Sequence, residues 1–173
     1  VDFDKDGAWA PNYKEQCTVM GMNGGLLELD ITDDRMKDTD SLLTKKGIEV
    51  RYEVNSFETN HPNTVRLNLE GVHGNKVRIV AISSGGGSFE IQKFNQFEVG
   101  MKGDRSELLL QCKNYKESIQ DALNKMIPND YESIFAYADD ELLVNIKSPK
   151  KIPEGFIDQL KVDFKINNLR VIN

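Results

Sequence analysis

Two short runs of strict alternation dominate the middle of this chain. Val65, Leu67 and Leu69 alternate with Arg66, Asn68 and Glu70, and Val77, Ile79 and Ala81 alternate with Lys76, Arg78 and Val80. A period of two sends successive side chains to opposite faces, so each run reads as a strand with one buried face. The connection Gly71-Val72-His73-Gly74-Asn75 offers the positive-φ residues that a short antiparallel turn needs. Two polar loops flank this hairpin, His61-Pro62-Asn63-Thr64 before it and Ser83-Ser84-Gly85-Gly86-Gly87-Ser88 after it. A simple antiparallel hairpin brings both to one end of a sheet. That end would carry hydroxyls, an amide, an imidazole and bare backbone N–H groups, which suit a small anion or an amino acid.

Composition narrows the classes. A length of 173 residues fits one domain or two small ones, and 39% hydrophobic with 29% charged residues is ordinary for a globular protein. A net charge of -6 and a pI near 5.0 argue against a nucleic-acid partner, which would need a basic face. The basic cluster Lys147-Ser148-Pro149-Lys150-Lys151 reads as a solvated loop. No apolar run approaches the roughly 20 residues of a membrane span, and no signal peptide is visible, so cytoplasm is the expected location. Cys17 and Cys112 are the only cysteines. Two thiolates cannot hold a four-cysteine iron–sulfur cluster, and no CxxC pattern suggests zinc. Cys112 ends the apolar run 108–112 and reads as a small buried hydrophobe.

A boundary is expected at 100–107, where two glycines and four charges separate apolar runs. The expected domains are 1–99 and 108–173, joined by that linker. The first reads as strand, helix, helix, strand, hairpin, strand. Its helices fall over 13–27 and from after Thr32 to Gly47, and a strand over 48–54 follows, with Phe89 and Ile91 extending the sheet. The second reads as strand 108–113, helix 115–127, hairpin 133–138 with 142–147, helix 154–165 and strand 169–172. That βαββαβ order is the ferredoxin-like arrangement, so the fold class is α+β. Pro128, Pro149 and Pro153 all fall in connections.

Three segments carry a resemblance. Gly7-Ala8-Trp9-Ala10-Pro11-Asn12-Tyr13-Lys14 followed by Gly24-Gly25-Leu26-Leu27 lines up without gaps on a pattern of Gly-Ser-Phe-Ala, Tyr-Lys and Gly-Gly-Leu-Leu. Asn60-His61-Pro62-Asn63-Thr64-Val65-Arg66 matches a His-Pro-Asn-Thr block, and Ser83-Ser84-Gly85-Gly86-Gly87-Ser88-Phe89-Glu90-Ile91 is close to Ser-Ile-Gly-Gly-Gly-Asn-Ile-Glu-Ile. These blocks, in order, resemble the β component of iron–sulfur-dependent L-serine dehydratases, whose fold type is similar to the allosteric-substrate-binding domain of some phosphoglycerate dehydrogenases. The second half resembles, by pattern alone, the ACT-like module of that family; it lacks the Asp-x-Pro-Gly turn of many such modules. The resemblance implies deamination of L-serine to pyruvate and ammonia by a [4Fe–4S] cluster that cysteines of a separate α component hold. It also implies that the β component lends polar residues to the pocket. The family's Gly-His-Gly-Thr-Asp is replaced by Glu15-Gln16-Cys17-Thr18-Val19, in which only Thr18 persists, and its Ser-Ser-His-Thr loop has no counterpart within these residues.

The expected role is therefore a β-type component without independent catalysis. His61, Asn63, Thr64 and Thr18 are the catalytic candidates, and Ser83, Ser84, Gly85, Gly86, Gly87 and Ser88 are the ligand-binding candidates. The expected partners are a cysteine-bearing α component, a small amino-acid or anion ligand and a second copy of the chain; no metal is expected in this chain itself. The rival class is a stand-alone sensor or dimerisation module that kept the fold and lost the enzyme. Each signal also has a plain structural reading. Asn63 and His61 can simply cap a strand entry, and the glycines form either an anion nest or a sharp turn or bulge. Arg66 and Arg78 flank either an anion or a solvated cross-strand face, and His73 lies in a turn.

Overall fold

The computed structural model describes residues 1–113, 117–164 and 168–172. It separates into two units, Val1–Lys76 and Val77–Asn173.

The first unit is organised on Phe3. Strand β1 (Asp2–Asp4) is buried along its length, and the Phe3 ring meets Trp9 edge-on at 5.8 Å, Tyr13 at 4.8 Å and Tyr52 at 6.2 Å. Aromatic bodies of this size dominate a small core. They also hold the chain after β1 against the strand as successive turns, with the Tyr13 N–H bonded to Trp9 O at 2.9 Å. The helix expected over 13–27 is accordingly shorter, α1 (Thr18–Leu26). Cys17, at φ 58, is left-handed, and a right-handed helix cannot run through that geometry. A 3-10 turn (Asp34–Asp38) follows, and its Asp33 cap takes the Arg35 N–H at 2.9 Å. Helix α2 (Thr39–Lys45) ends at Gly47, whose φ of +68 supports the helix stop expected there.

The alternation in 48–54 becomes only a three-residue strand, β2 (Glu53–Asn55), parallel to β1. β1 is itself three residues long and offers no partner further back. β3 (Thr64–Glu70) pairs antiparallel on the other side of β1.

In the second unit β4 (Lys76–Gly85), β5 (Ser88–Phe94) and β6 (Phe97–Met101) form an antiparallel meander. β6 was not anticipated, although Phe97, Val99 and Met101 alternate and are all buried. Gly100, at φ +61, sits where the β5–β6 register slips, so it serves an irregularity inside a strand. The stretch 100–107 thus holds the end of β6 and the start of β7.

The remainder follows the expected pattern: β7 (Ser106–Lys113), α3 (Glu117–Met126), β8 (Glu132–Ala138), β9 (Glu141–Ser148), α4 (Glu154–Phe164) and β10 (Asn168–Ile172). The strand order is β10-β7-β9-β8, every pair antiparallel, which is the ferredoxin-like order. The expected helix positions 115, 116 and 165 lie outside the described residues. One sheet face, with Leu108, Leu110, Leu142, Val144 and Ile146, packs on Leu123 of α3 and Ile157 and Leu160 of α4. Cys112 belongs to this core as expected. The α+β class holds for both units. Among the described residues no helix is long and apolar enough to cross a membrane.

Candidate functional site

The first two matched segments meet in the first unit. The Ala8 N–H donates to Pro62 O at 2.8 Å. A Cβ on Gly7 would lie 2.7 Å from that same oxygen, so only glycine lets the two loops approach this closely. The His-Pro-Asn-Thr loop is braced from inside. Thr64, only 2% exposed, donates its hydroxyl to His61 O at 2.6 Å, and Thr59 Oγ1 lies 2.5 Å from Thr64 Oγ1 and accepts the His61 N–H at 3.2 Å. His61 Nδ1 accepts the Asn63 N–H at 3.1 Å. In the neutral ring that places the proton on Nε2, which becomes a donor.

The loop therefore gathers His61, Asn63 and Thr64, with His61 and Asn63 partly exposed and Thr64 beneath them as the brace. Thr18 stands at the first position of α1, half-buried. Gln16 is exposed and Val19 half-buried.

Arg66 is turned toward the protein's own groups. Its Nε donates to Asp2 Oδ2 at 2.8 Å and its guanidinium lies 4.4 Å over the Phe57 ring. Asn68 donates to the same oxygen at 2.8 Å and Asn55 to Oδ1 at 2.9 Å. Burial pushes the Asp2 carboxyl up, but the hydrogen bonds from Arg66 and Asn55 outweigh it and hold the group below its ordinary value. Asp2 and Thr59 went unnoticed in the sequence, because their partners are distant or unremarkable.

The third matched segment lies in the second unit. Gly86 and Gly87, at φ +61 and +81, are the two central residues of the β4–β5 hairpin, with Gly85 paired to Ser88. Positive φ at both centres is the type I′ signature. Ser83 Oγ accepts the Gly85 N–H at 3.4 Å and donates to Ser88 O at 3.5 Å, both long bonds. An open cleft of about 530 Å³ beside this turn is lined by Ser84, Gly87, Ser88, Phe89, Lys102 and Asp104 among others. His73 is exposed in the Gly71–Asn75 turn.

Cys17 is exposed in the first unit and Cys112 is buried in the second, where desolvation raises its thiol pKa. Among the described residues no group of three or more His, Cys, Asp or Glu is placed to hold an ion.

No protein-family model matches the chain. It is 33% identical over 104 residues to the "Probable L-serine dehydratase, beta chain" of Bacillus subtilis, covering 60% of this chain and 47% of that protein. It is 28% identical over 112 residues to the "L-serine dehydratase, beta chain" of Peptoniphilus asaccharolyticus, covering 64% of this chain and 50% of that protein. The chain thus spans about half the length of the curated relatives it matches. A solved structure of a hypothetical protein from Neisseria gonorrhoeae covers 66% of this chain and 95% of its own, at 11% identity and a TM-score of 0.36. The resemblance read from the three segments is supported by the two curated relatives.

Proposed function

We propose that this chain, a relative of the L-serine dehydratase beta chains, is a β-type component that completes a serine-deaminating site on a partner and has no activity alone. The observation that carries this reading is the docking of Gly7 and Ala8 on Pro62, which joins two of the matched segments into one braced loop. In this reading His61 Nε2–H and Asn63 face the substrate, with Thr64 holding their loop and Thr18, at the start of α1, as a further candidate. The 83–88 turn, in the second unit, is a ligand-binding candidate in its own right.

A [4Fe–4S] cluster does not fit the residues present here, since one thiol is in a hydrophobic core and the other stands alone. The cluster is accordingly assigned to cysteines of the α component. The ferredoxin-like half serves as the ACT-like regulatory or self-associating part.

The test is anaerobic co-expression with an α component from the same genome, followed by assay of iron and pyruvate in the co-purified complex. Pyruvate from the pair and none from either chain alone is the expected result. Turnover of L-serine by this chain alone would overturn the non-catalytic role.

A second reading, a stand-alone sensor or dimerisation module, is favoured by Gln16 and Val19 standing where the family has His and Asp, and by the hairpin duty of the glycines. Recovery of the chain only with copies of itself would favour it.

A further inference from the structure

A cleft of about 490 Å³ in the first unit has no part in the reading above. Val19, Leu43 and Val50 supply its apolar wall, and Asn23, Asp40 and Tyr52 its polar end. The polar groups form a relay. The Tyr52 hydroxyl donates to Asn23 Oδ1 at 2.6 Å, and Asn23 Nδ2 donates to Asp40 Oδ1 at 2.7 Å. Asn23 is 2% exposed, so the relay is fixed from within, while Asp40 stands at the solvent rim. Among the described residues no hydrogen bond reaches Asp40 Oδ2.

The charge of the wall selects the ligand. No Lys, Arg or His lines the cleft, and its second acid, Glu49, is ion-paired with Arg51 at 2.7 Å. A carboxylate, free or on a zwitterionic amino acid, finds no counter-charge, and a neutral hydrocarbon leaves Asp40 and Tyr52 unmatched. We propose that this cleft binds a small organic cation, an aliphatic primary amine, with its ammonium between Asp40 Oδ2 and the Tyr52 oxygen and its carbon chain on Leu43 and Val50. The Tyr52 hydroxyl spends its hydrogen on Asn23, so its lone pair can accept from the ammonium, and burial, aided by Asp40, pushes the phenol up to about 12.

The proposal does not rest on the dehydratase reading. The full chain, isotope-labelled, is titrated with 3-methylbutylamine, with 3-methylbutanol and with L-serine, following amide shifts in α1 and α2. The amine is expected to bind about fivefold tighter than the alcohol of the same shape, as befits one rim carboxylate, and L-serine is expected not to bind. Asp40→Asn should erase the difference between amine and alcohol. Val50→Trp, which fills the cleft without touching the relay, should remove both ligands and decides the matter if Asp40→Asn fails to fold. Equal binding of amine and alcohol, amine binding that survives Val50→Trp, absence of shifts in the cleft, or L-serine binding there would each overturn it.

Discussion

Gly7 shows how one missing side chain organises the candidate site. Its position is set by an oxygen of Pro62, and an added methyl would force the two loops apart. Gly7→Ala should lower stability by about 1–3 kcal/mol, in the range of overpacked sites, read by urea denaturation. It should also weaken any partner-dependent activity, because the displaced loop carries His61. Asp2 offers a second test. Its carboxyl is held below the usual carboxylate value of 3.8, so the stability it contributes is present above pH 4 and is lost as pH falls through its depressed folded value. Arg66→Leu removes the ion pair and leaves a mostly buried carboxylate, at a cost of about 2 kcal/mol at pH 7. The gap between variant and parent should close as pH drops below 4, where Asp2 protonates in both; a gap that stays constant would rule the ion pair out as its source. The sequence singles out His61 and Asn63 as candidates because their loop stands beside readable strands. It missed the Asp2 anchor because 64 residues separate Asp2 from Arg66, and no local pattern announces such a pair.

At the scale of elements, the two halves differed in how openly they declared themselves. β7, β8, β9, α3 and α4 were legible because each shows one apolar face at its own period, and that face meets a single core. The first half obeys tertiary forces more than local ones. Tyr13 belongs to the aromatic cluster on Phe3, and that attachment, with Cys17 left-handed, cuts the expected helix short. Ile48 and Val50 border the cleft ahead of β2, so their alternation does not mark a sheet. The glycine turn separates structure from function experimentally. Gly86→Asn keeps the positive φ that a type I′ centre demands and should leave stability nearly unchanged. Gly87→Val places a branched side chain at φ +81 and should cost about 1–2 kcal/mol, read as a shift in denaturation midpoint. A Gly86→Asn chain that folds normally yet fails to support a partner's activity would give the loop a role beyond turning the strand.

At the scale of the whole molecule, the proposed role is a division of labour in which this chain lends polar groups and another chain lends iron. The thiols make that division testable. Cys112 is buried with its pKa raised, so it stays a neutral thiol, a poor iron ligand. Cys17 is exposed, but a lone thiolate cannot anchor a cluster that takes four. A Cys17→Ser, Cys112→Ala double variant should therefore support the same iron content per complex as the parent when co-expressed with the α component. Loss of the buried sulfur should cost about 1–2 kcal/mol, near that of a small core truncation, so the comparison belongs at low temperature, where both chains are folded. Equal iron with equal pyruvate formation is the expected outcome. A fall in iron without a fall in recovered complex would mean that this chain supplies a ligand, and the assignment of the cluster to the partner's cysteines would have to be abandoned. If the double variant keeps its iron and loses turnover, and Cys17→Ser alone does the same, Cys17, next to Thr18 at the start of α1, belongs at the substrate and away from the cluster.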